Sequence, residues 1–558
     1  MPRPFPGKAE RMMTDYLASD LLVDQLAVEG TRFVFGKPGA TALPLMETMV
    51  KRTDVGYVVA LHEGIAVSMA MGYAQASGKT GVVDVSTPAG LLSALSAVLN
   101  ARESRIPLVV LSGQQSTAVL NEQDVVERDL CSLAAPFCKW IAQLNVPDEL
   151  PRMVRRAFHE AMSPPAGPAF LSLPVNLMRQ AVTSRVIMPP RLSPLAAADS
   201  AFLKRTAQLL VAATKPAVVL GNEVWQYRAR NAAVSLVEVL GCPAFVESAP
   251  TGVNFPNQHP LFAGVLPADE DGQHATIFSG YDVILALGVQ NRAPFLSGAS
   301  TIPSTTVVVQ INMDPLLAGC ALPCHFCASA DLAESLNRLR AEIQLVVDNP
   351  WVIRAKERFR ETASVLESAR KADTEALLAS GSDGTIQVAR CLRILDEVRP
   401  RKSVIVNDFG TFSPLPMRLM TMEHSSAYLA TNGHAPGYAL PAALGVKWAS
   451  PDYTVICITG DGSLLHYPQS LWTACHYNLS VKVVVLNNQG YGPAQAHGEP
   501  KSGFRGLELR DPPVSFLELA GSMGMPANTI SSANELQPAL KEMIETDGPY
   551  LLDVRIRI

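Results

Sequence analysis

Short apolar runs rich in Val and Ile recur along the chain, and most end in Gly, Asn, Ser or Asp. Residues 33–35 stop at Gly36, 57–61 at His62-Glu63, 82–85 at Ser86, 108–112 at Gly113 and 169–173 at Pro174. Such runs are too short for buried helices and are bounded by turn residues. They predict strands buried on both faces of a parallel sheet. Between them, 16–30, 43–49, 64–76 and 91–102 carry helical spacing. Strands alternating with helices, with Gly at the strand ends, predict an α/β fold of doubly wound parallel sheets.

The same grammar appears three times. Residues 182–200 hold Pro189, Pro190 and Pro194 with little pattern and read as a linker. Strands at 217–220, 282–287 and 307–311 then define a second unit. Residues 351–384 are charged and helical and read as a second linker. A third unit opens with a strand at 403–406 and closes with one at 550–554. The expected domains are 12–181, 200–345 and 384–558, and 558 residues suit three domains.

Composition narrows the function classes. A net charge of −5 with scattered basic residues argues against nucleic acid as the main partner. No apolar run reaches transmembrane length, and residues 1–11 lack an apolar signal core, so a soluble cytoplasmic protein with reduced thiols is expected. Cys320, Cys324 and Cys327 have the C-x3-C-x2-C spacing of an iron–sulfur site. Lying deep inside the middle domain, they are expected instead to be packed thiols, since free Cys is a common small buried hydrophobe.

The most informative stretch is 459–492. Thr459-Gly460-Asp461-Gly462-Ser463 follows the apolar run 455–458. Asn487-Asn488-Gln489-Gly490-Tyr491-Gly492 follows the run 481–486, and 469–477 can form the crossover helix. An Asp and an Asn thus close successive strands of one βαβ unit, on the edge where open α/β sheets bind ligands. Asp461 supplies an anionic oxygen, Asn488 an amide carbonyl and Gly490 a backbone carbonyl. So few protein oxygens leave room for phosphate and suit Mg²⁺ better than a Ca²⁺ cage. Gly460 and Gly462 let the backbone approach a diphosphate. A lone Gly-Asp-Gly would read as an ordinary strand–turn–helix, and the Asn pair one unit later argues against that.

This stretch resembles the metal–diphosphate signature of thiamine diphosphate enzymes. The likeness runs over nearly the whole chain and is greatest to the benzoylformate decarboxylases, within the decarboxylase and acetohydroxyacid synthase superfamily. The resemblance implies pyrimidine-binding, central and diphosphate-binding domains. It also implies a homodimer or homotetramer whose active site lies at a subunit interface. It makes Asp461, Asn488 and Gly490 the Mg²⁺ ligands, and places Gly460, Gly462, Ser463 and Tyr491 against the cofactor. Glu63 becomes the carboxylate that hydrogen-bonds the cofactor's pyrimidine; without the resemblance it reads as an acidic residue favoured at a helix N-terminus. Gly410 and Thr411 match a diphosphate-contacting turn. His434 precedes Pro436, which stands where the family has a bulky apolar residue wedged between the cofactor rings.

The expected pocket departs from the benzoylformate decarboxylases. Ala40 stands for a Ser, Ser86 for a His, and His497 for an aromatic ring, while His259 matches a second catalytic His. His259 also reads as a surface turn residue. His497, titrating near neutral pH, could replace the missing proton carrier or meet a polar substrate group. The expected activity is non-oxidative decarboxylation of a small-molecule 2-oxo acid, with aldehyde release or carboligation to an acceptor. An acetohydroxyacid-synthase-like carboligase is the nearest alternative. Against it, 118–128 lacks a Phe-Gln-Glu run and 216–315 carries no clear flavin signal, so FAD is not expected. A catalytically weak, cofactor-binding scaffold is the alternative from another class.

Overall fold

The structure is a computed structural model and describes residues 16–120, 129–190, 195–267, 273–290, 302–320, 324–379, 385–410, 414–491 and 508–556. These residues form two compact units. One gathers Met1–Arg191 with Gly433–Pro451 and Tyr467–Thr473; the other gathers Leu192–Asn432, Asp452–His466 and Ala474–Ile558. Three six-stranded parallel sheets run through them, as the sequence pattern predicts.

In the first unit the strand order is Gly56–Val59, Phe33–Gly36, Gly81–Val85, Leu108–Gln114, Pro168–Pro174 and Trp140–Gln143. The order reverses between Phe33–Gly36 and Gly81–Val85, whose register pairs Gly36 with Asp84. Open sheets receive ligands outside the carboxyl ends of strands at such a reversal. Residues 37–39 and Ser86 emerge there, with Glu63 one strand further on.

The helix Glu63–Ser77 is buried on every side, which an apolar, small-residue sequence permits. It packs against Ala439–Ala449, a helix that follows the third sheet's edge strand in sequence yet belongs to the first unit. A methyl group on Gly72 would overlap Ala442, and one on Gly445 would overlap the Met69 carbonyl, so the two helices meet backbone to backbone. The Tyr438 hydroxyl donates to Gln75 Oε1 at the same seam.

The second unit holds the other two sheets. The middle one runs Phe326–Ser329, Val307–Asn312, Val283–Leu287, Pro216–Leu220, Ala244–Val246 and Phe262–Val265. The third runs Tyr428–Leu429, Ser403–Asp408, Thr454–Gly460, Val481–Asn487, Tyr550–Arg555 and Ala527–Ile530, repeating the strand order of the first sheet. Its reversal lies between Ser403–Asp408 and Thr454–Gly460, which places Gly410 and Asp461 at the corresponding edge.

One sequence expectation changes, that of the cysteine cluster. The charged segment expected as a helical linker is a continuous helix, Asn349–Ala379. Trp351 anchors it by donating Nε1–H to the Val211 carbonyl at 3.0 Å and Arg358 by donating Nε–H to the Leu240 carbonyl at 2.9 Å, while most of its other side chains face water. The cysteine cluster is not deep in the middle domain. Cys320 and Cys327 are exposed and Cys324 is half-buried, and Cys327 lies on Phe326–Ser329, an edge strand with one face open. All nine cysteines are free thiols. No helix of the described residues is long and apolar enough to cross a membrane.

Candidate active site

In the first unit, the chain's reversal point brings Lys37, Glu63 and Ser86 together. Glu63 is the first residue of its helix, and His62 caps it by accepting the Gly64 amide on Nδ1 at 3.0 Å. The carboxylate is 4% exposed. Its Oε1 lies 3.2 Å from Lys37 Nζ and 3.4 Å from Ser86 Oγ. Two glycines make this proximity possible. A methyl group on Gly90 would stand 2.7 Å from Glu63 Oε1, and one on Gly39 would stand 2.6 Å from Ser86 Cβ. Beneath Ser86 lies Asp84, fully buried, accepting the Tyr57 hydroxyl at 2.8 Å. Burial pushes its carboxyl up to about 7, only partly opposed by that hydrogen bond.

The loop carrying His434 and Pro436 also belongs to the first unit. His434 has φ +60°, and both side chains are exposed. The loop is held from the helix Ala89–Glu103: Asn100 Nδ2 donates to the Ala435 carbonyl at 2.8 Å, and the Ala435 amide donates to Asn100 Oδ1 at 3.0 Å. Asn100 is 2% exposed in a helix otherwise rich in Ala and Leu.

In the second unit, Asp461 ends its strand at the reversal of the third sheet. It is 3% exposed. Its Oδ1 accepts the Gly462 amide at 2.8 Å and its Oδ2 the Gly490 amide at 3.1 Å, so one carboxylate ties two strand ends together. Burial raises its proton affinity, and the amides of Gly462, Gly490 and Gln489 counter this. Among the described residues no Lys, Arg or His forms an ion pair with it. A buried carboxylate that meets only amides is a site where a cation offsets the desolvation cost. Asn488 follows on the same edge, half-buried, while its neighbour Asn487 is spent internally on Asp553 at 2.8 Å. Gln489 takes φ +59°, which turns the chain so that Gly490 faces Asp461. Gly460 packs near Phe409, and a methyl group on Gly462 would stand 2.8 Å from the Tyr491 ring. Ser463 is half-buried in the turn that follows Asp461, and Gly410 takes φ +36° at the neighbouring strand end. The oxygen donors available on Asp461, Asn488 and Gly490 are of the kind that a hard cation takes.

His259 sits in the second unit with both ring nitrogens engaged. Nε2 is 3.2 Å from Glu238 Oε1, Nδ1 accepts the Leu261 amide at 3.1 Å, and the ring packs on Phe255. That network accounts for His259 without a substrate. Thr411 and His497 lie outside the described residues. Lys37 and Asn100 were given no role from the sequence. Their signals were a lone cation in an apolar strand-end turn and a lone amide in an apolar helix.

The first and third sheets share one strand order, and each carries a buried carboxylate, Glu63 or Asp461, beside its reversal. Three family models match in turn: the N-terminal thiamine pyrophosphate-binding domain at residues 17–133, the central domain at 203–339 and the C-terminal thiamine pyrophosphate-binding domain at 408–554. The chain belongs to the thiamine pyrophosphate enzymes. It is 29% identical to benzoylformate decarboxylase of Pseudomonas aeruginosa, covering 94% of this chain and 96% of that one. It is 27% identical to acetolactate synthase isozyme 3 large subunit of Escherichia coli, covering 94% and 92%. Among solved structures it resembles the thiamine diphosphate-dependent 4-hydroxybenzoylformate decarboxylase of Rhodococcus jostii RHA1, with TM-score 0.84, 26% identity and coverage of 97% and 99%.

Proposed function

We propose that the chain catalyses non-oxidative decarboxylation of a 2-oxo acid with thiamine diphosphate and Mg²⁺, releasing an aldehyde or joining the product carbon to an acceptor. The observation that carries this is Asp461: a buried carboxylate held open by the Gly462 and Gly490 amides, with no cation of its own among the described residues. When bound, thiamine diphosphate supplies a nucleophilic carbon that adds to the 2-oxo group and an electron sink for CO₂ loss. Asp461, Asn488 and the Gly490 carbonyl would hold the metal, and the turn Gly460–Ser463 would let phosphate oxygens close in. Glu63, nearly excluded from water, would hold or release a proton at its carboxylate against the pyrimidine ring. Tyr491 and Gly410 line the same strand edge, and Asn100 fixes the loop of His434 and Pro436. By analogy with the family, the working site is assembled between copies of the chain in a homodimer or homotetramer. A cytoplasmic enzyme is consistent with the free thiols.

An enzyme without FAD is favoured by the middle sheet. At its reversal, Glu247 accepts the Asn222 amide at 2.5 Å and the Gln290 amide at 2.8 Å, and Glu223 accepts the Met313 and Asp314 amides. Carboxylates thus take amides that a dinucleotide phosphate would need. In the substrate pocket, Ser86 offers a hydroxyl where the benzoylformate decarboxylases carry an imidazole. A smaller or more polar acid than benzoylformate fits that change.

The test is a screen of 2-oxo acids for CO₂ release, each with and without an aldehyde acceptor, alongside cofactor analysis by absorbance and mass. Thiamine diphosphate without FAD, and a kcat/KM for benzoylformate below that for pyruvate or 2-oxoglutarate, is the expected result. Bound FAD with acetolactate formation would favour the carboligase instead. A protein that retains thiamine diphosphate yet turns over no 2-oxo acid would favour the scaffold.

A further inference from the structure

The Lys37–Glu63 pair is not required by the cofactor chemistry just described. We infer that Lys37 is a positioning residue for Glu63: its ammonium and the Ser86 hydroxyl hold Oε1 in place and leave Oε2 to meet the pyrimidine. This inference rests on the cofactor reading of Glu63.

Three observations support it. Both side-chain partners of Glu63 fall on one oxygen, Oε1, at 3.2 and 3.4 Å. Lys37 is aimed by its backbone: the residue before a proline is biased to the extended region, and Gly39 takes extended dihedrals so close to Ser86 that a side chain would clash. Finally, the exposures are unequal, with the Lys37 side chain at 41% and that of Glu63 at 5%. Lys37 therefore reaches from the open side to a carboxylate that has lost its water, rather than the reverse. A charge-assisted hydrogen bond of this kind fixes the orientation of such a carboxylate. Pairing with Glu63 also keeps the ammonium off the substrate carboxylate, whose stabilisation in the ground state would oppose CO₂ loss.

Other titratable groups lie close by. His62 packs its ring on Tyr467 with ring centroids 5.2 Å apart, and Asp84 is held by Tyr57. None of the hydrogen bonds among the described residues joins them to Glu63. Lys37 is therefore the cation whose removal changes the Glu63 carboxylate directly.

The experiment is a double-mutant cycle on the full-length protein. It reads the dissociation constant of thiamine diphosphate with Mg²⁺ by calorimetry, and kcat and KM for the best 2-oxo acid. Lys37→Met is expected to lower kcat about tenfold with KM little changed. It should also weaken cofactor binding about threefold, because a carboxylate no longer held at Oε1 presents Oε2 to the ring less well. Lys37→Arg should restore most of both. In a Glu63→Gln background Lys37→Met should change neither, because the partner it acts through is gone. An equal effect in both backgrounds, or a lowered thermal midpoint with no rescue by Lys37→Arg, would make Lys37 a merely structural residue and overturn the inference. Impaired Glu63→Gln with silent Lys37→Met would overturn it while leaving the cofactor reading intact. A wild-type protein that binds no thiamine diphosphate would overturn both.

Discussion

Asp461 and Gly490 lie 29 residues apart in sequence, and the Gly490 amide donates to Asp461 Oδ2 at 3.1 Å. That bond joins the ends of two adjacent parallel strands and orients the carboxylate before any metal arrives. Asp461→Ala is expected to remove both the metal's anionic ligand and the tie between the strand ends. Thiamine diphosphate measured after desalting should fall to background. Undiminished cofactor content would mean that the metal is held elsewhere.

Glu63→Gln preserves the size of the side chain and a hydrogen-bonding oxygen, but an amide cannot take up or hold a proton as a carboxylate does. The variant should fold and bind cofactor, yet lose about 10²–10⁴-fold in turnover, the usual extent of a lost acid–base group. Hydrogen–deuterium exchange at the reactive carbon of the bound cofactor is the direct measurement. A wild-type exchange rate would remove Glu63 from the chemistry.

Asp84 makes stability depend on pH. Folded, its carboxyl keeps its proton up to about 7. Unfolded, it loses the proton near pH 4 (about 3.9). Between those values the folded state binds more protons, so stability falls as pH rises through the window and is level above it. Asp84→Asn keeps an acceptor for Tyr57 and carries no charge. Its melting temperature relative to wild type should climb between about pH 5 and about pH 8. A difference that does not change with pH would place the titration elsewhere.

The seam between Glu63–Ser77 and Ala439–Ala449 has no room for a methyl group at Gly445. Gly445→Ala must push the helices apart or strain their backbones. Overpacking of this kind costs about 1–3 kcal/mol, which outweighs the roughly 1 kcal/mol that Ala gains over Gly in a helix interior. A lowered urea midpoint is expected, and a raised one would show that the seam yields freely.

The strands, their turn residues and the signature edges were legible in the sequence because they are local. Val and Ile runs ending in Gly, Ser or Asn specify buried parallel strands whatever their neighbours, and Asp461 and Asn488 mark successive strand ends at one βα unit's spacing. Short strands at or near sheet margins, such as Tyr428–Leu429, Trp140–Gln143 and Ala527–Ile530, carried too few residues, and often too polar a pattern, to register. What only the tertiary structure decided is which strand ends become neighbours. Lys37, Glu63 and Ser86 follow three different strands and meet because the order Gly56–Val59, Phe33–Gly36, Gly81–Val85 puts those strands side by side. Likewise, His259 Nε2 meets Glu238, a partner that its own turn does not reveal, Cys327 is exposed because its strand lies at an edge, and Ala439–Ala449 leaves its sequence neighbours for Glu63–Ser77. Hydrophobic period and turn chemistry act over a few residues, whereas pairing order is set by burial summed over the whole unit, which no single stretch of sequence contains.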